Sequence, residues 1–478
     1  MTDRLTPLDV SFLYLEDQRS AMHVGSVMIF DPGPAGLDYE DLVRHVEARI
    51  AFVPRYRQRV RTVPGHLANP VWADYEAFDI ADHVRLVTLA APGDPEQLED
   101  LVARIQSRRL DRRRPLWELA VVEGLADGRF AVITKAHQAL VDGRHALDLG
   151  HVVLDEDPHV REHPPQTWHP AREPSIGELV VGAIAESVTR PTRIVETLRA
   201  GLGDVRRTAS KATEAVGGLA VAARIAANPP PRSPLNVESG VERRFHLVDT
   251  DLDDYRAIRS SLVAKATGEG PVTSVNDVVL AVVAGALRSW LLARGEPVPP
   301  TSMVRALVPF SVKPSGHETD AAAAPALGGR VSSLLVDLPT GEGNPLIRVY
   351  QVSYQTLAHR EAGQAVDART IAGIAGFAPP TLHSLGARVA NELSRHMFNL
   401  VVTNVPGPQE PLYLHGSRME STYPVIPLAR GQALSIGLTS YRGRMHFGLY
   451  GDREAMSDLD VLGQCLIDSL AETLEAAR

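Results

Sequence analysis

The chain has 478 residues, of which 44% are hydrophobic and 22% charged, and its formal charge at pH 7 is −9. This composition excludes a disordered or collagen-like chain, and the length predicts two or three domains of about 150 residues each. The acidic balance excludes the basic footprint typical of nucleic-acid binding. With Cys465 as the single cysteine, a disulfide framework and a cysteine-based zinc site are excluded as well.

No segment has the pattern of a signal peptide or a membrane span. The first residues lack the apolar run of a secretory signal. The longest apolar block, residues 278–287, is ten residues long, whereas a span needs about 20. We therefore expect a cytoplasmic protein, either soluble or peripheral at a surface.

Residues 1–155 alternate strand-like and helical patterns. β-Branched apolar runs predict strands, and apolar residues at a spacing of three or four predict helices. In chain order, the patterns predict a strand at 22–30, a helix at 39–52, strands at 119–122 and 129–135, and a helix at 145–154. We assign this part to an N-terminal lobe.

Residues 156–234 form a connector with helical spacing. Ser175 and Glu178 make a capping box that opens a helix. The proline-rich stretch 228–234 ends the connector. We favour helices packed on the body of the protein, and the alternative is an interfacial helix that touches lipid.

Residues 235–478 repeat the α/β alternation and make a C-terminal lobe. The patterns predict, in chain order, a strand at 244–248, a helix at 274–294, strands at 303–309, 330–338, 400–404, 433–441 and 444–450, and a helix at 457–476 capped by Ser457. Two α/β halves with mixed sheets, joined by a helical linker, are the architecture these patterns indicate.

The stretch from His137 to Gly143 is the most informative for chemistry. It lies where a predicted strand runs into a helix, a place where catalytic groups are often presented on a rigid frame. His137 offers a base, Asp142 a carboxylate and Gly143 a permissive backbone position. On these residues alone a surface turn is the commoner explanation, because the chain has 17 histidines.

Further segments match a known family in order and spacing. They are Pro7-Leu8-Asp9 with Phe12-Leu13 and Met22-His23-Val24-Gly25 (the opening strand), Asp79 with His83-Val84-Arg85, Arg114-Pro115-Leu116-Trp117-Glu118, Ser274-Val275-Asn276-Asp277, Val308-Pro309-Phe310-Ser311 and Thr403-Asn404-Val405-Pro406-Gly407-Pro408. With residues 137–143, which resemble a His-His-x-x-x-Asp-Gly signature, they make the chain similar to the bacterial wax ester synthase/diacylglycerol acyltransferase family, over residues 5–455.

This resemblance implies two lobes like chloramphenicol acetyltransferase with a channel between them. It also implies an acyl-CoA co-substrate and an acceptor that is diacylglycerol or a long-chain alcohol, met at a membrane or lipid-droplet surface. The second signature His would be the general base for the acceptor hydroxyl, and Asp142 would hold the loop. Neither a metal nor a bound redox cofactor is expected.

The chain departs from the family at the base itself, because Gln138 stands where the signature has its second His. An amide does not titrate and cannot accept the proton. Strand residues alternate between faces, so if position 138 faces the channel we expect His137 to face the interior.

The remaining site candidates each have a structural alternative. Pro115 and Trp117 either shape the loop beside the site or belong to the core. Asn276 and Asp277 are good helix-capping residues, or contribute to the acceptor site. Asn404 precedes a Pro-Gly turn, or lines the channel.

Three hypotheses about function remain open. The protein is an O-acyltransferase that is weakly active or uses a displaced base, a non-catalytic relative that binds acyl-CoA or lipid, or an enzyme disabled deliberately at Gln138. A peptide-forming condensation domain shares the signature loop but is disfavoured, since the other segments match the lipid branch and the chain ends without a carrier domain.

Overall fold

The computed structural model describes residues 3–141, 149–160, 168–189, 233–265, 273–311, 331–361, 366–367 and 397–478. These residues form a six-stranded sheet, a seven-stranded sheet and a small three-stranded sheet, with helices packed on them. Parallel and antiparallel pairs occur together in both large sheets. This confirms the predicted mixed α/β class with two sheet-rich lobes.

The N-terminal half supplies most of the six-stranded sheet. Its strands are β1 (Asp3–Arg4), β2 (His23–Asp31), β3 (Gln58–Arg61), β4 (Val71–Asp74), β5 (Val84–Thr88), β6 (Trp117–Glu123) and β7 (Phe130–His137). Its helices are α1 (Pro7–Leu15), α2 (Tyr39–Ile50), α3 (Pro95–Ser107), α4 (Gln138–Val141), α5 (Leu149–Val153) and α6 (Ile176–Thr189). Strands β1, β4 and β3 form the small sheet.

The C-terminal half supplies the seven-stranded sheet. Its strands are β8 (Arg243–Asp251), β9 (Val304–Ser311), β10 (Val331–Leu338), β11 (Val366–Asp367), β12 (Leu400–Pro406), β13 (Tyr413–Leu414), β14 (Ser417–Val425), β15 (Leu434–Tyr441) and β16 (Arg444–Asp452). Its helices are α7 (Leu252–Lys265), α8 (Val275–Ala293), α9 (Pro345–Glu361) and α10 (Leu459–Ala477). The strand order is β11-β10-β9-β12-β15-β16-β8.

Strand β14 crosses from the C-terminal half into the other sheet. The order of the six-stranded sheet is β13-β14-β2-β7-β6-β5, and β14 pairs with β2 in antiparallel register, Tyr423 opposite Val27. Gly437 and Gly448 let the crossing chain approach, since a Cβ at Gly448 would lie 2.0 Å from the Pro424 carbonyl oxygen. The first sheet is therefore completed by residues about 400 positions from its start.

Helix α8 is the centre of the C-terminal core. It is long and apolar enough to cross a bilayer, but 72% of its apolar window is buried inside the protein. It contacts α7, α9 and α10, and its apolar residues belong to one buried cluster with β9, β12 and β15. Among the described residues, this arrangement is that of a core helix.

Most predicted elements are present, and two predictions need correction. Residues 7–13, grouped with the opening strand, form helix α1, because Thr6 and Asp9 make a reciprocal capping box with Pro7 in the first turn. The last helix is not capped by Ser457: it begins at Leu459, and Asp458 precedes it without a side-chain capping bond. The helix predicted at 145–154 is present at Leu149–Val153, and residues 145–148 lie outside the described residues.

The connector is described in part. The Ser175–Glu178 capping box is confirmed by hydrogen bonds of 2.7 and 3.3 Å between the two residues. Residues 190–232, which carry most of the predicted linker, lie outside the described residues. The domain boundaries at 155 and 234 stay predictions.

Candidate active site

The signature begins where strand β7 changes into helix α4. The His137 amide donates to the Leu116 carbonyl oxygen at 2.9 Å, and the Gln138 amide donates to that of Met22 at 2.8 Å. Every residue of β7 is buried. The backbone at this junction is therefore held on both sides, by Leu116 just before β6 and by Met22 just before β2.

His137 lies inside the protein and caps the short helix that follows. Its side chain is 1% exposed, and its Nδ1 accepts the Ala139 amide N–H at 3.0 Å. An acceptor at the residue before a helix satisfies one of the free amides of its first turn. Nδ1 is thus occupied as an acceptor, which puts the proton of the neutral ring on Nε2.

A buried carboxylate, Glu16, faces the His137 ring from the end of α1. Its Oε2 lies 4.0 Å from His137 Nε2, and its Oε1 lies 3.1 Å from His23 Nε2. Arg112 donates to Oε2 through Nε at 2.9 Å, and Arg109 donates through Nη2 at 3.1 Å. Four cationic or polar groups therefore converge on one carboxylate that is 1% exposed.

Burial determines the protonation states of this group. It lowers the pKa of the His137 imidazole to about 3, so the ring is neutral at pH 7. Burial alone would raise the pKa of Glu16, but the His23 hydrogen bond and the charge of Arg112 hold it well below its usual range. Glu16 is therefore an anion at neutral pH.

Lys135 lies on the same strand and is also buried. Its Nζ donates to the Ile105 carbonyl oxygen at 2.9 Å and to that of Arg108. Burial lowers its pKa to about 8. The ammonium group thus covers the carbonyl end of helix α3, where a positive charge is favourable.

Gln138 is partly exposed and is the first residue of α4. His137 is the last residue of the strand and is buried, whereas Gln138 belongs to the helix. Asp142 and Gly143 lie outside the described residues. In the described part of the signature, the acceptor nitrogen of His137 is occupied and buried, and the Gln138 amide does not titrate.

Pro115 and Trp117 lie in the core beside the signature. Trp117 is 0% exposed, its Nε1–H donates to the Tyr56 carbonyl oxygen at 2.8 Å, and its ring stacks on His83 with centroids 4.6 Å apart. Pro115 is buried too. Leu116, which lies between them, connects this region to the signature because its carbonyl oxygen accepts the His137 amide N–H.

Asn276 and Asn404 are brought together, whereas Asp277 has another role. Asn404 Nδ2 donates to Asn276 Oδ1 at 3.1 Å, which joins the end of β12 to the start of α8. Asp277 completes a capping box with Ser274 and accepts the Thr356 hydroxyl at 2.8 Å. Among the described residues, no hydrogen bond or ion pair connects this pair with the His137 group.

Sequence reasoning missed the residues that surround His137. Glu16, Arg109 and His137 are far apart in sequence and belong to segments with no shared pattern. The available signal was His23, a polar residue inside an apolar strand, which indicates a buried partner. Within the described ranges, no three His, Cys, Asp or Glu side chains are grouped so as to hold a metal ion.

Comparisons with known proteins agree over nearly the whole chain. A model of the wax ester synthase/diacylglycerol acyltransferase catalytic domain matches residues 5–279, and a model of the WS/DGAT C-terminal domain matches residues 327–473. A Mycobacterium tuberculosis protein named a probable diacylglycerol O-acyltransferase is 33% identical over 491 residues, covering 99% of both chains.

Two solved structures agree with the fold. The wax ester synthase/diacylglycerol acyltransferase from Marinobacter aquaeolei VT8 superposes with a TM-score of 0.65 at 28% identity, over 99% of each chain. The first condensation domain of the CDA synthetase superposes with a TM-score of 0.55 at 17% identity, over 100% of this chain and 97% of that one. The second likeness shows a shared fold alone.

Proposed function

The chain belongs to the wax ester synthase/diacylglycerol acyltransferase family, and we propose that it transfers an acyl group from acyl-CoA to the hydroxyl of diacylglycerol or a long-chain alcohol, slowly. In this reaction the acceptor oxygen bonds to the thioester carbonyl carbon and the C–S bond breaks. The hydroxyl proton ends on the sulfur of the released CoA. The products are a triacylglycerol or a wax ester and free CoA, and no bound cofactor is needed.

The pair His137 and Gln138 is the reason that we expect slow transfer. His137 is buried, its Nδ1 is occupied by Ala139 and burial lowers its pKa to about 3. Gln138 takes the position of the family's base and does not titrate. Loss of a general base costs about 10²–10⁴-fold in rate, so transfer relies on positioning of the two substrates.

The same observation supports a second candidate function. A chain that keeps the fold and lacks a base at position 138 is suited to bind acyl-CoA or lipid without turnover. In that case Asn276, Asn404 and the loop around Gln138 serve binding alone.

Replacement of Gln138 by His tests the proposal. Gln138 is the first, partly exposed residue of α4, so an imidazole there does not disturb the buried His137 group. We expect Gln138→His to raise the rate of triacylglycerol or wax ester formation from labelled palmitoyl-CoA by about 10²-fold or more. Gln138→Asn is the matched control, since it keeps an amide, and should give no increase.

The other outcomes are equally informative. Equal and appreciable activity of the native protein and Gln138→His would show that position 138 is not the base. Absence of activity in both, with palmitoyl-CoA still bound, would favour the binding function.

We also propose that the protein meets its lipid substrates from the cytoplasm, at a membrane or lipid-droplet surface. Helix α6 supports this, because Ile176, Val181 and Ile184 are each more than half exposed while Leu179 and Ala183 face inwards. An outward apolar face on an α-helix fits insertion into a lipid interface. Flotation with phosphatidylcholine vesicles containing diolein would reveal this contact, and failure to float would contradict it.

A further inference from the structure

Residues 108–114 form the most basic segment near the signature, and we call it the arginine loop. It holds five arginines and one acid in seven positions, in a chain whose net charge is −9. Arg108 and Arg113 are exposed, and the other three are about 40% exposed. The loop therefore presents guanidinium groups to solvent next to the buried Glu16 group.

The backbone of the arginine loop is held at both ends. Lys135 Nζ donates a hydrogen bond to the Arg108 carbonyl oxygen, and Arg59 donates one to the Arg113 carbonyl oxygen at 3.0 Å. In between, Asp111 accepts the Arg113 amide at 3.0 Å, an Asx turn. Because Lys135 already covers the end of α3, the arginine side chains are not needed as helix caps.

The loop is joined directly to the signature. Arg112 and His137 share one carboxylate oxygen, Glu16 Oε2, at 2.9 and 4.0 Å. Two residues beyond the loop, Leu116 accepts the His137 amide at 2.9 Å. The arginine loop is therefore linked to the signature through the Glu16 carboxylate and through the backbone of Leu116.

The charges of the loop are only partly neutralised. Arg114 pairs with Asp82 at 2.8 Å and Arg113 with Asp111 at 2.8 Å, while Arg109 and Arg112 share Glu16. Arg108 makes no ion pair with a described residue. Five guanidinium groups thus face three carboxylates, and a surplus of two positive charges remains for an anion.

We propose that the arginine loop binds the phosphate groups of acyl-CoA. Guanidinium groups bind phosphate through paired N–H donors, and three phosphates on one ligand match several arginines on one fixed loop. The pantetheine arm of CoA separates the thioester from these phosphates, so the acyl end reaches the signature while the phosphates stay on the loop. This inference rests on the proposed function, because it assumes that acyl-CoA is the donor.

A charge-removing double variant tests the site. Arg108→Gln with Arg113→Gln leaves Arg109 and Arg112, which neutralise the buried Glu16, in place. We expect its affinity for palmitoyl-CoA, measured below the micellar concentration by calorimetry, to fall about tenfold or more. Its affinity for S-palmitoyl-N-acetylcysteamine, a thioester without phosphates, should stay unchanged.

The matched control is Arg44→Gln with Arg256→Gln, which removes two exposed arginines that each pair with a nearby aspartate. It should bind both thioesters as the native protein does. Unchanged palmitoyl-CoA affinity in the loop variant, or an equal loss for both thioesters, overturns the inference and leaves the proposed function standing. If the native protein binds neither thioester, both fail.

A lipid surface is the competing source of phosphate. If the loop variant loses binding to phosphatidylglycerol vesicles while its palmitoyl-CoA affinity is unchanged, the loop serves a membrane and the inference is overturned. Loss of palmitoyl-CoA affinity with unchanged vesicle binding supports it.

Discussion

His137 and Gln138 are neighbours in the chain but lie in different environments. His137 ends a fully buried strand and uses Nδ1 to cap the next helix. Gln138 begins that helix and is partly exposed. His137, which has a titratable ring, thus has a structural role as a helix cap. Gln138, at the position of the family's base, has no titratable group.

The buried His137–Glu16 group predicts a loss of stability in acid. Burial lowers the pKa of His137 from 6.5 to about 3. Between pH 6.5 and pH 3, His137 is therefore protonated in the unfolded chain and neutral in the folded chain. Stability therefore falls with pH by at most about 1.4 kcal/mol per unit from this group. The lowered pKa of Glu16 adds a loss in the same direction below its ordinary 4.5.

Urea unfolding from pH 7.5 to 4.5 measures this dependence, with His137→Asn as the comparison. The Asn amide oxygen still accepts the Ala139 N–H but does not titrate. We expect a shallower fall of the unfolding free energy in the variant. The histidines His45 and His83, whose pKa values burial also lowers and which do not contact Glu16, contribute equally to both proteins. Identical slopes would contradict the assignment to His137.

Among the secondary-structure elements, the crossing strand β14 depends on two glycines in the strands that it passes over. Gly437 and Gly448 lie where β14 passes over β15 and β16, and a Cβ at either would come within 3.0 Å of Pro424. The local apolar pattern of β15 and β16 predicts that they are strands. The requirement for glycine at positions 437 and 448 arises from β14, which is not their neighbour in that pattern.

Gly448→Ala is expected to destabilise the protein by about 3 kcal/mol, since the new methyl overlaps the Pro424 carbonyl oxygen, which lies 2.0 Å away. Gly182→Ala is the control: it lies in α6 with nothing within 4 Å, and should stabilise by about 0.5–1 kcal/mol. Denaturant unfolding compares the two. Equal stability of Gly448→Ala and the native protein would mean that β14 shifts without cost.

At the scale of the whole molecule, the two halves are joined by more than a linker. Beside the pairing of β14 with β2, Glu99 on α3 contacts His246 at 3.0 Å and accepts the Leu247 amide at 3.0 Å. Tyr423 donates to Asp249 at 2.6 Å, which ties the crossing strand to β8. The N-terminal sheet is therefore incomplete without the C-terminal half.

A fragment of residues 1–189 should show this dependence. It lacks β14, so the edge of β2 is exposed and open to pairing with other chains. We expect the fragment to self-associate in size-exclusion chromatography and to unfold broadly, and a peptide of residues 411–427 to reduce both effects. A monomeric fragment that unfolds as sharply as the full chain would contradict the role of β14.

The amino-acid sequence alone predicts the α/β class, most strand positions and the capping box at Ser175, and it shows Gln138 at the position of the signature His. These follow from local periodicity, short-range hydrogen bonds and residue identity. Long-range contacts place Trp117 in the core, Glu16 beside His137 and β14 in the six-stranded sheet. Those contacts join segments about 60 to 400 residues apart, and no local pattern records a partner so distant in the chain.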